Sequence, residues 1–310
     1  MNPYINFKEE VKHALQNHLP VIAFESAVIT HGLPRPENFE VALSLENIAQ
    51  SHQVTPATTA IIDHKIHVGL TNQQLIDISN SENTHKISHR DIPIAIKNGW
   101  KGGTTVAATL MIAKMSGIHV FATGGIGGVH RGSQFDLSAD LFELSRNPVV
   151  IVCAGAKSIL DLPATLEVLE TYGLPIIGYQ TDEFPAFYSQ SSGLPVNDTV
   201  DTPEEIAALY LCQKQLGIEN AILVVNPVPE NDAIPYQEME EYIHVALIKA
   251  EKYNIHGPAI TPFLLSEVAS LSLGKTLKAN LALLRNNAEL ASKIARAISV
   301  LLGTQKARMI

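Results

Sequence analysis

The groups with most chemistry to offer in this 310-residue chain each follow a short apolar run. Glu25 closes PVIAFE and precedes SAVITHGLPRP, so it stands at a strand-to-loop junction among small and polar residues. A partly buried glutamate there keeps its proton towards the operating pH and serves as general acid or base; a cap or a salt bridge is the simpler role. Lys157 follows VIVCAGA and precedes a helix-like SILDL. Limited solvation at the end of a buried strand favours a neutral amine able to attack a latent carbonyl, whereas a solvated lysine would stay charged and inert. Between these two lies FATGGIGGVHRGSQFDLSADL, with Gly124, Gly125, Gly127 and Gly128 filling four of five positions. Such a turn permits close backbone approach, with Thr123, His130 and Arg131 as donors to a phosphate and exposed N–H groups forming an anion nest. It lacks the spacing of a dinucleotide loop and the GK[ST] ending of a P-loop. Arg131 has a salt bridge as its alternative.

Asp136 and Asp140 are four apart and would share a helical face if Leu137 began the helix. Helix capping competes with a role beside a hard divalent ion, since paired carboxylates near a phosphate repel unless a cation intervenes. Lys86, in THKISHRD, suits phosphate or carboxylate binding. The nearby His85 and His89 belong to no H-E-x-x-H signature and do not support catalytic zinc. Asn280 is placed to cap the final helix or to complete a network with sugar hydroxyls.

The elements that must position these groups alternate. Apolar, β-branched runs at 20–24, 58–62, 118–122, 149–153, 174–179 and 221–225 predict buried parallel strands. Apolar residues at helical spacing in FEVALSLENIAQS, TTVAATLMIAKMSG, SILDLPATLEVLETYG and EEIAALYLCQKQLG predict helices between them, and EMEEYIHVALIKAEKYNI predicts another after the Pro-rich loop 226–235. The clearest helix spans 280–302, striped by Leu281, Leu284, Ala288, Ala291, Ile294, Ala295 and Ile298. This alternation predicts an α/β fold with helices on both faces of a mostly parallel sheet. No repeat or low-complexity linker divides it, so residues 1–310 are expected to form one domain.

With 46% apolar and 17% charged residues, a disordered chain is excluded. The net charge of −9 and the lack of a basic tract argue against nucleic acid. Cys153 and Cys212 make no disulfide framework, and no apolar run approaches 20 residues. The expectation is a cytoplasmic protein without a membrane partner.

Taken together, FESAVITHGLPRPEN, GLT with THKISHRDIP, GGTTVAATLMIA, FATGGIGGVHRG, FDLSADL, VIVCAGAKSILDLPATLE and GLPIIGYQTDEFPAFY closely resemble the pseudouridine-5′-phosphate glycosidase family, also called indigoidine synthase A-like. NPVPE and LKANLALLRNNAELASKIA carry the resemblance over almost the whole chain. It implies a three-layer α/β/α enzyme, trimeric and using a divalent metal such as Mn2+. The implied reaction reversibly splits the C–C bond joining uracil to ribose 5-phosphate. By the same resemblance Lys157 is the nucleophile, Glu25 the proton donor, Asp136 the metal ligand, and Lys86, Val106, Ser138, Ala139 and Asp140 the substrate contacts. Asn280 matches an asparagine near the sugar. The chain departs from the family at Ala27, where threonine commonly follows the ES pair, and in a shorter interval between HRG and FDLSAD, which bears on an entrance loop. A noncatalytic binder of a phosphorylated sugar or nucleotide, and a lyase acting on another base, are the alternatives.

Overall fold

The computed structural model describes residues 2–132, 136–255 and 260–308. Its strands are β1 (Ile5–Phe7), β2 (Val21–Phe24), β3 (Thr55–Ile62), β4 (Lys65–Val68), β5 (His85–Ile87), β6 (Gly102–Thr104), β7 (Val120–Ala122), β8 (Val129–His130), β9 (Val150–Cys153), β10 (Leu160–Asp161), β11 (Ile176–Tyr179), β12 (Asp198–Val200) and β13 (Ile222–Val225). The main sheet runs β1-β4-β3-β2-β7-β9-β13-β11-β12, with β6 also pairing with β3 and carrying β5. All pairs from β3 through β2, β7, β9, β13 and β11 to β12 are parallel. The β3–β4 pair is antiparallel, reversing at Asp63 and His64, both in the left-handed region. A two-residue connection with φ positive at both positions matches the twist of a tight hairpin. β8 and β10 pair separately, antiparallel.

The helices are α1 (Glu9–Gln16), α2 (Glu37–Ser51), α3 (Asn72–Asn80), α4 (Ile92–Asn98), α5 (Val106–Ser116), α6 (Ala139–Leu144), α7 (Leu162–Thr171), α8 (Pro203–Gln215), α9 (Tyr236–Lys252), α10 (Ile260–Leu271) and α11 (Lys275–Arg308). α11 packs against α2 and α8 and touches β2, β7 and β9, while α5 packs with α6 and reaches β2 and β7. This is the expected three-layer α/β/α arrangement around a mostly parallel sheet. Every residue of β2, β9 and β13 is buried, which is why these strands read as unbroken apolar runs. Burial of each valine or isoleucine there contributes about 1.5–3 kcal/mol.

The winding fixes where a site can form. From β2 the chain passes through α2 to β3 on one side, and it later returns to lay β7 along the other side of β2. In open α/β sheets, ligands bind at the carboxyl ends of the strands where the strand order reverses in this way. Glu25 follows β2 directly and Thr123 follows β7 directly, so both stand at that reversal.

Candidate active site

The backbone after β2 is held from below. Buried Ser26 donates from Oγ to the Thr59 carbonyl at 2.5 Å and accepts the Thr104 N–H at 3.0 Å, which anchors the residue next to Glu25. The Glu25 carboxylate accepts a hydrogen bond from Thr123 Oγ1. Burial raises the pKa of Glu25; Lys157, the Thr123 hydroxyl and Lys86 oppose this, and the Asp140 charge adds to it. Ala27 is buried, so a packed methyl group stands where the resemblance implies a hydroxyl.

Lys157 is presented by two segments that run side by side beyond β7 and β9. The Ala154 N–H donates to the Gly124 carbonyl at 2.8 Å, Ile126 N–H to Gly155 at 3.0 Å, and Lys157 N–H to Ile126 at 3.1 Å. Gly155 has φ of +85°, and a Cβ there would lie 2.1 Å from the Pro185 carbonyl oxygen. At Gly127 a Cβ would fall 2.2 Å from Ser138 Oγ. These glycines therefore serve close approach between segments. The anion-nest expectation fails for three N–H groups of the loop: those of Ile126, Gly127 and Val129 donate to Gly155, Asp140 and Thr165. Arg131 is likewise not a phosphate donor. It makes a two-pronged ion pair with Glu240 of α9, both contacts at 2.7 Å, and donates to the carbonyls of Ser158 and Leu160, bracing the turn after Lys157.

Asp136 and Asp140 do not share a helical face. Leu137 forms a bridge with Val129, and α6 begins only at Ala139, with the Ser138 hydroxyl capping it by accepting the Asp140 N–H at 3.2 Å. Asp140 is 6% exposed; its carboxylate accepts the Ala107 N–H at 2.9 Å and the Gly127 N–H at 2.8 Å, tying the first turn of α5 to the glycine loop. Val106 starts α5 with its side chain buried, so what it can offer a ligand is its first-turn N–H. Lys86 lies on β5 and keeps part of its surface in solvent; partial desolvation lowers its pKa, Lys157 lowers it further, and Glu25 and Asp140 oppose. Glu25, Lys86, Asp140 and Lys157 thus interact electrostatically as one cluster. Asp136 is not among the charges that act on Glu25 or Lys86; it is partly exposed, its carbonyl accepting the His130 N–H at 3.0 Å. The entrance-loop residues Ser133, Gln134 and Phe135 lie outside the described residues. Asn280 sits inside α11, which starts at Lys275, so it is no cap; its Oδ1 would lie 3.5 Å from a Cβ on Gly124, beside the glycine loop.

Residues that the sequence did not single out are Asn287 and Asn226, which bond to one another beneath the Thr123–Gly124 turn. The available signal was an asparagine three residues after Leu284, on the otherwise apolar stripe of α11. Two clefts, about 430 Å3 on α2 and about 450 Å3 between 189–193 and 233–236, include none of the clustered charges. The charge cluster marks the site better than cavity size does.

The chain is similar to known proteins over almost its whole length. The chain is 48% identical over 297 residues to the pseudouridine-5′-phosphate glycosidase of Caldanaerobacter subterraneus subsp. tengcongensis, covering 95% of this chain and 97% of that one. It is 46% identical over 304 residues to the Staphylococcus aureus protein of the same name, covering 97% and 99%. The crystal structure of the prealnumycin C-glycosynthase AlnA in complex with ribulose 5-phosphate superposes with a TM-score of 0.92 at 34% identity, over 98% of this chain and 100% of that one. An indigoidine synthase A-like protein from Thermotoga maritima gives a TM-score of 0.87 at 37% identity, over 95% and 96%. The model of the indigoidine synthase A like protein family matches residues 10–297, and this chain belongs to that family, the pseudouridine-5′-phosphate glycosidases among it.

Proposed function

We propose that this enzyme reversibly cleaves the C–C glycosidic bond of pseudouridine 5′-phosphate, giving uracil and D-ribose 5-phosphate, through a lysine-linked, ring-opened sugar. The observation that carries this is the pairing of Lys157 with a carboxyl group disposed to keep its proton, Glu25, at the reversal of the sheet. The leaving atom is carbon, so protonation of a leaving oxygen, on which two-carboxylate glycosidases rely, is not available. Lys157 Nζ bonds to C1′ as the C1′–O4′ bond breaks and O4′ takes a proton. The nitrogen supplies that proton, and its freed lone pair forms the C1′=N bond while the C1′–C5 electron pair leaves with uracil. Glu25 delivers the proton that C5 receives. Water adds to the iminium and releases ribose 5-phosphate and the free amine.

Lys86, the Val106 N–H and the segment Ser138, Ala139 and Asp140 hold the phosphorylated sugar. Remote phosphate contacts orient C1′ beside Lys157, so phosphate recognition should appear in kcat/KM. Incubation with pseudouridine 5′-phosphate is expected to yield uracil and ribose 5-phosphate in equal amounts, with unphosphorylated pseudouridine turned over far less well. Loss of one charged contact in Lys86→Ala should lower kcat/KM on the phosphorylated substrate by about 10–100-fold. Equal kcat/KM on both substrates would overturn the phosphate anchor, and absence of both products would overturn the activity.

Asp136 is the proposed ligand of Mn2+. Among the described residues no three His, Cys, Asp or Glu side chains converge into a closed set, whereas a single partly exposed carboxylate fits a hard ion that keeps most of its water. A bound ion would supply positive charge beside the phosphorylated sugar. Chelation should lower activity, Mn2+ should restore it, and Asp136→Ala should raise the Mn2+ concentration needed; unchanged activity in chelator together with unchanged metal dependence in the variant sinks the assignment.

The assembly proposed is a cytoplasmic homotrimer in which residues 1–310 fold as one domain. No helix among the described residues is long and apolar enough to cross a membrane, and closed rotational symmetry is the usual form of soluble oligomers. Light scattering should give the mass of three 33.6 kDa chains, and a persistent monomer or dimer at assay concentrations would count against it.

A further inference from the structure

We infer that Asn287, locked by Asn226, is a positioning residue that holds Thr123 against Glu25. The inference rests on Glu25 being the proton donor. Asn287 is fully buried on the apolar stripe of α11, between Leu284 and Ala291. A primary amide in such a place is tolerated only when its hydrogen-bonding groups are met. Its Nδ2 donates to the Thr123 carbonyl at 2.9 Å and lies 3.4 Å from the Gly124 carbonyl, while its Oδ1 accepts from Asn226 Nδ2 at 3.1 Å. Two carbonyls can be met only by the amide nitrogen, so the network itself fixes which way Asn287 points. Asn226 is in turn held at the end of β13, its N–H donating to Cys153 at 2.8 Å. The Asn287 amide thus ties the carboxyl ends of β7 and β13 to α11, and the Asn226 backbone joins β9 to them.

The need for this clamp follows from the sequence after β7. Thr123 is the last residue with a side chain before Gly124 and Gly125, and glycines restrain the backbone least. The Thr123 N–H is held by the Val152 carbonyl at 3.0 Å, and Asn287 fixes the other side of the residue. With both sides held, Oγ1 is aimed at Glu25. The other groups acting on Glu25 are Lys157 and Lys86, which favour its charged form, and Asp140, which disfavours it. The Thr123 hydroxyl also favours the charged form, so its misplacement makes Glu25 retain its proton to higher pH and release it less readily.

The test is the pH profile of kcat for Thr123→Val, Asn287→Ala and the double variant. Each single change is expected to lower kcat by about tenfold, the order of one lost hydrogen bond. Each should also move the alkaline limb to higher pH, with KM little altered because the substrate contacts lie elsewhere. Thr123→Ser, which restores the hydroxyl, should move the limb back. Because Asn287 acts through Thr123, the double variant should be no worse than Thr123→Val by more than about twofold. Borohydride trapping of ribose 5-phosphate on Lys157 reports folding and the nucleophile independently of Glu25. A trappable Asn287→Ala with wild-type kcat and limb, or a double variant in which the losses multiply, overturns the inference. If Asn287→Ala traps no sugar, Asn226→Ser carries the same test, and an unmoved limb there overturns it. Should Glu25→Gln itself turn over normally, the proton-donor assignment fails first, a result separable from all of these.

Discussion

Lys157→Ala should lower turnover of pseudouridine 5′-phosphate by roughly 10⁴-fold or more, the scale seen when a covalent nucleophile is removed. The size follows from the bond. Carbon leaves poorly as an anion, and neither a metal-activated water nor a second carboxylate replaces the electron pair that nitrogen supplies when C1′=N forms. Lys157→Arg should fail equally, because a guanidinium stays protonated and does not attack. Borohydride added during turnover of the unaltered enzyme should attach an open-chain ribose 5-phosphate irreversibly to one peptide, the one spanning AGAKSILD. An active enzyme that traps no sugar under several conditions, with normal turnover in Lys157→Ala, would remove the mechanism. Folding should tolerate the truncation, because the backbone of Lys157 makes its structural bonds, its N–H donating to Ile126 and its carbonyl accepting from Leu160.

Much of the scaffold around this lysine was legible because buried parallel strands announce themselves. β2, β9 and β13 were found as apolar runs since both their faces are covered. β1, β5, β6 and β12 were not, being three residues long and either half-exposed or built on Gly102 and Gly103, which give no periodic signal. The β3–β4 hairpin leaves no clear turn signal in the sequence because Asp63-His64 makes its turn without glycine. Spacing misled at FDLSAD: four residues apart suggested one helical face, but Leu137 is held in a bridge to Val129, so the helix starts later and Asp140 turns inward as a clamp. The glycines after β7 suggested an anion nest for a similar reason. Sequence records that a side chain is missing, and only packing shows that Phe187, Ser138 and Pro185 occupy the room left at Gly125, Gly127 and Gly155.

The carboxylate opposite the lysine carries the second large effect. Glu25→Gln should lower cleavage by about 10²–10⁴-fold, the usual contribution of a positioned general acid. The Lys157 adduct with ribose 5-phosphate should still form, since it needs the amine and the sugar aldehyde alone. The pH dependence follows from burial, which raises Glu25 above its ordinary value of 4.5 against the opposing pull of Lys157, Thr123 and Lys86. A proton donor is competent below its folded pKa, so its contribution to activity should be present at acid pH and fade as pH rises through that raised value. The same shift has a consequence for stability. A carboxyl whose folded pKa exceeds its unfolded one contributes stability fully below the unfolded pKa and loses it as pH climbs through the folded pKa. Glu25→Gln cannot ionise and should escape that loss, so the difference in Tm between variant and unaltered enzyme should move in the variant's favour as pH rises across this window. Activity and stability then change in opposite directions at one residue, as expected where a buried acid is kept for its chemistry. A variant that retains the unaltered pH–rate profile, or a Tm difference flat across the window, would show that Glu25 is not the group holding the proton.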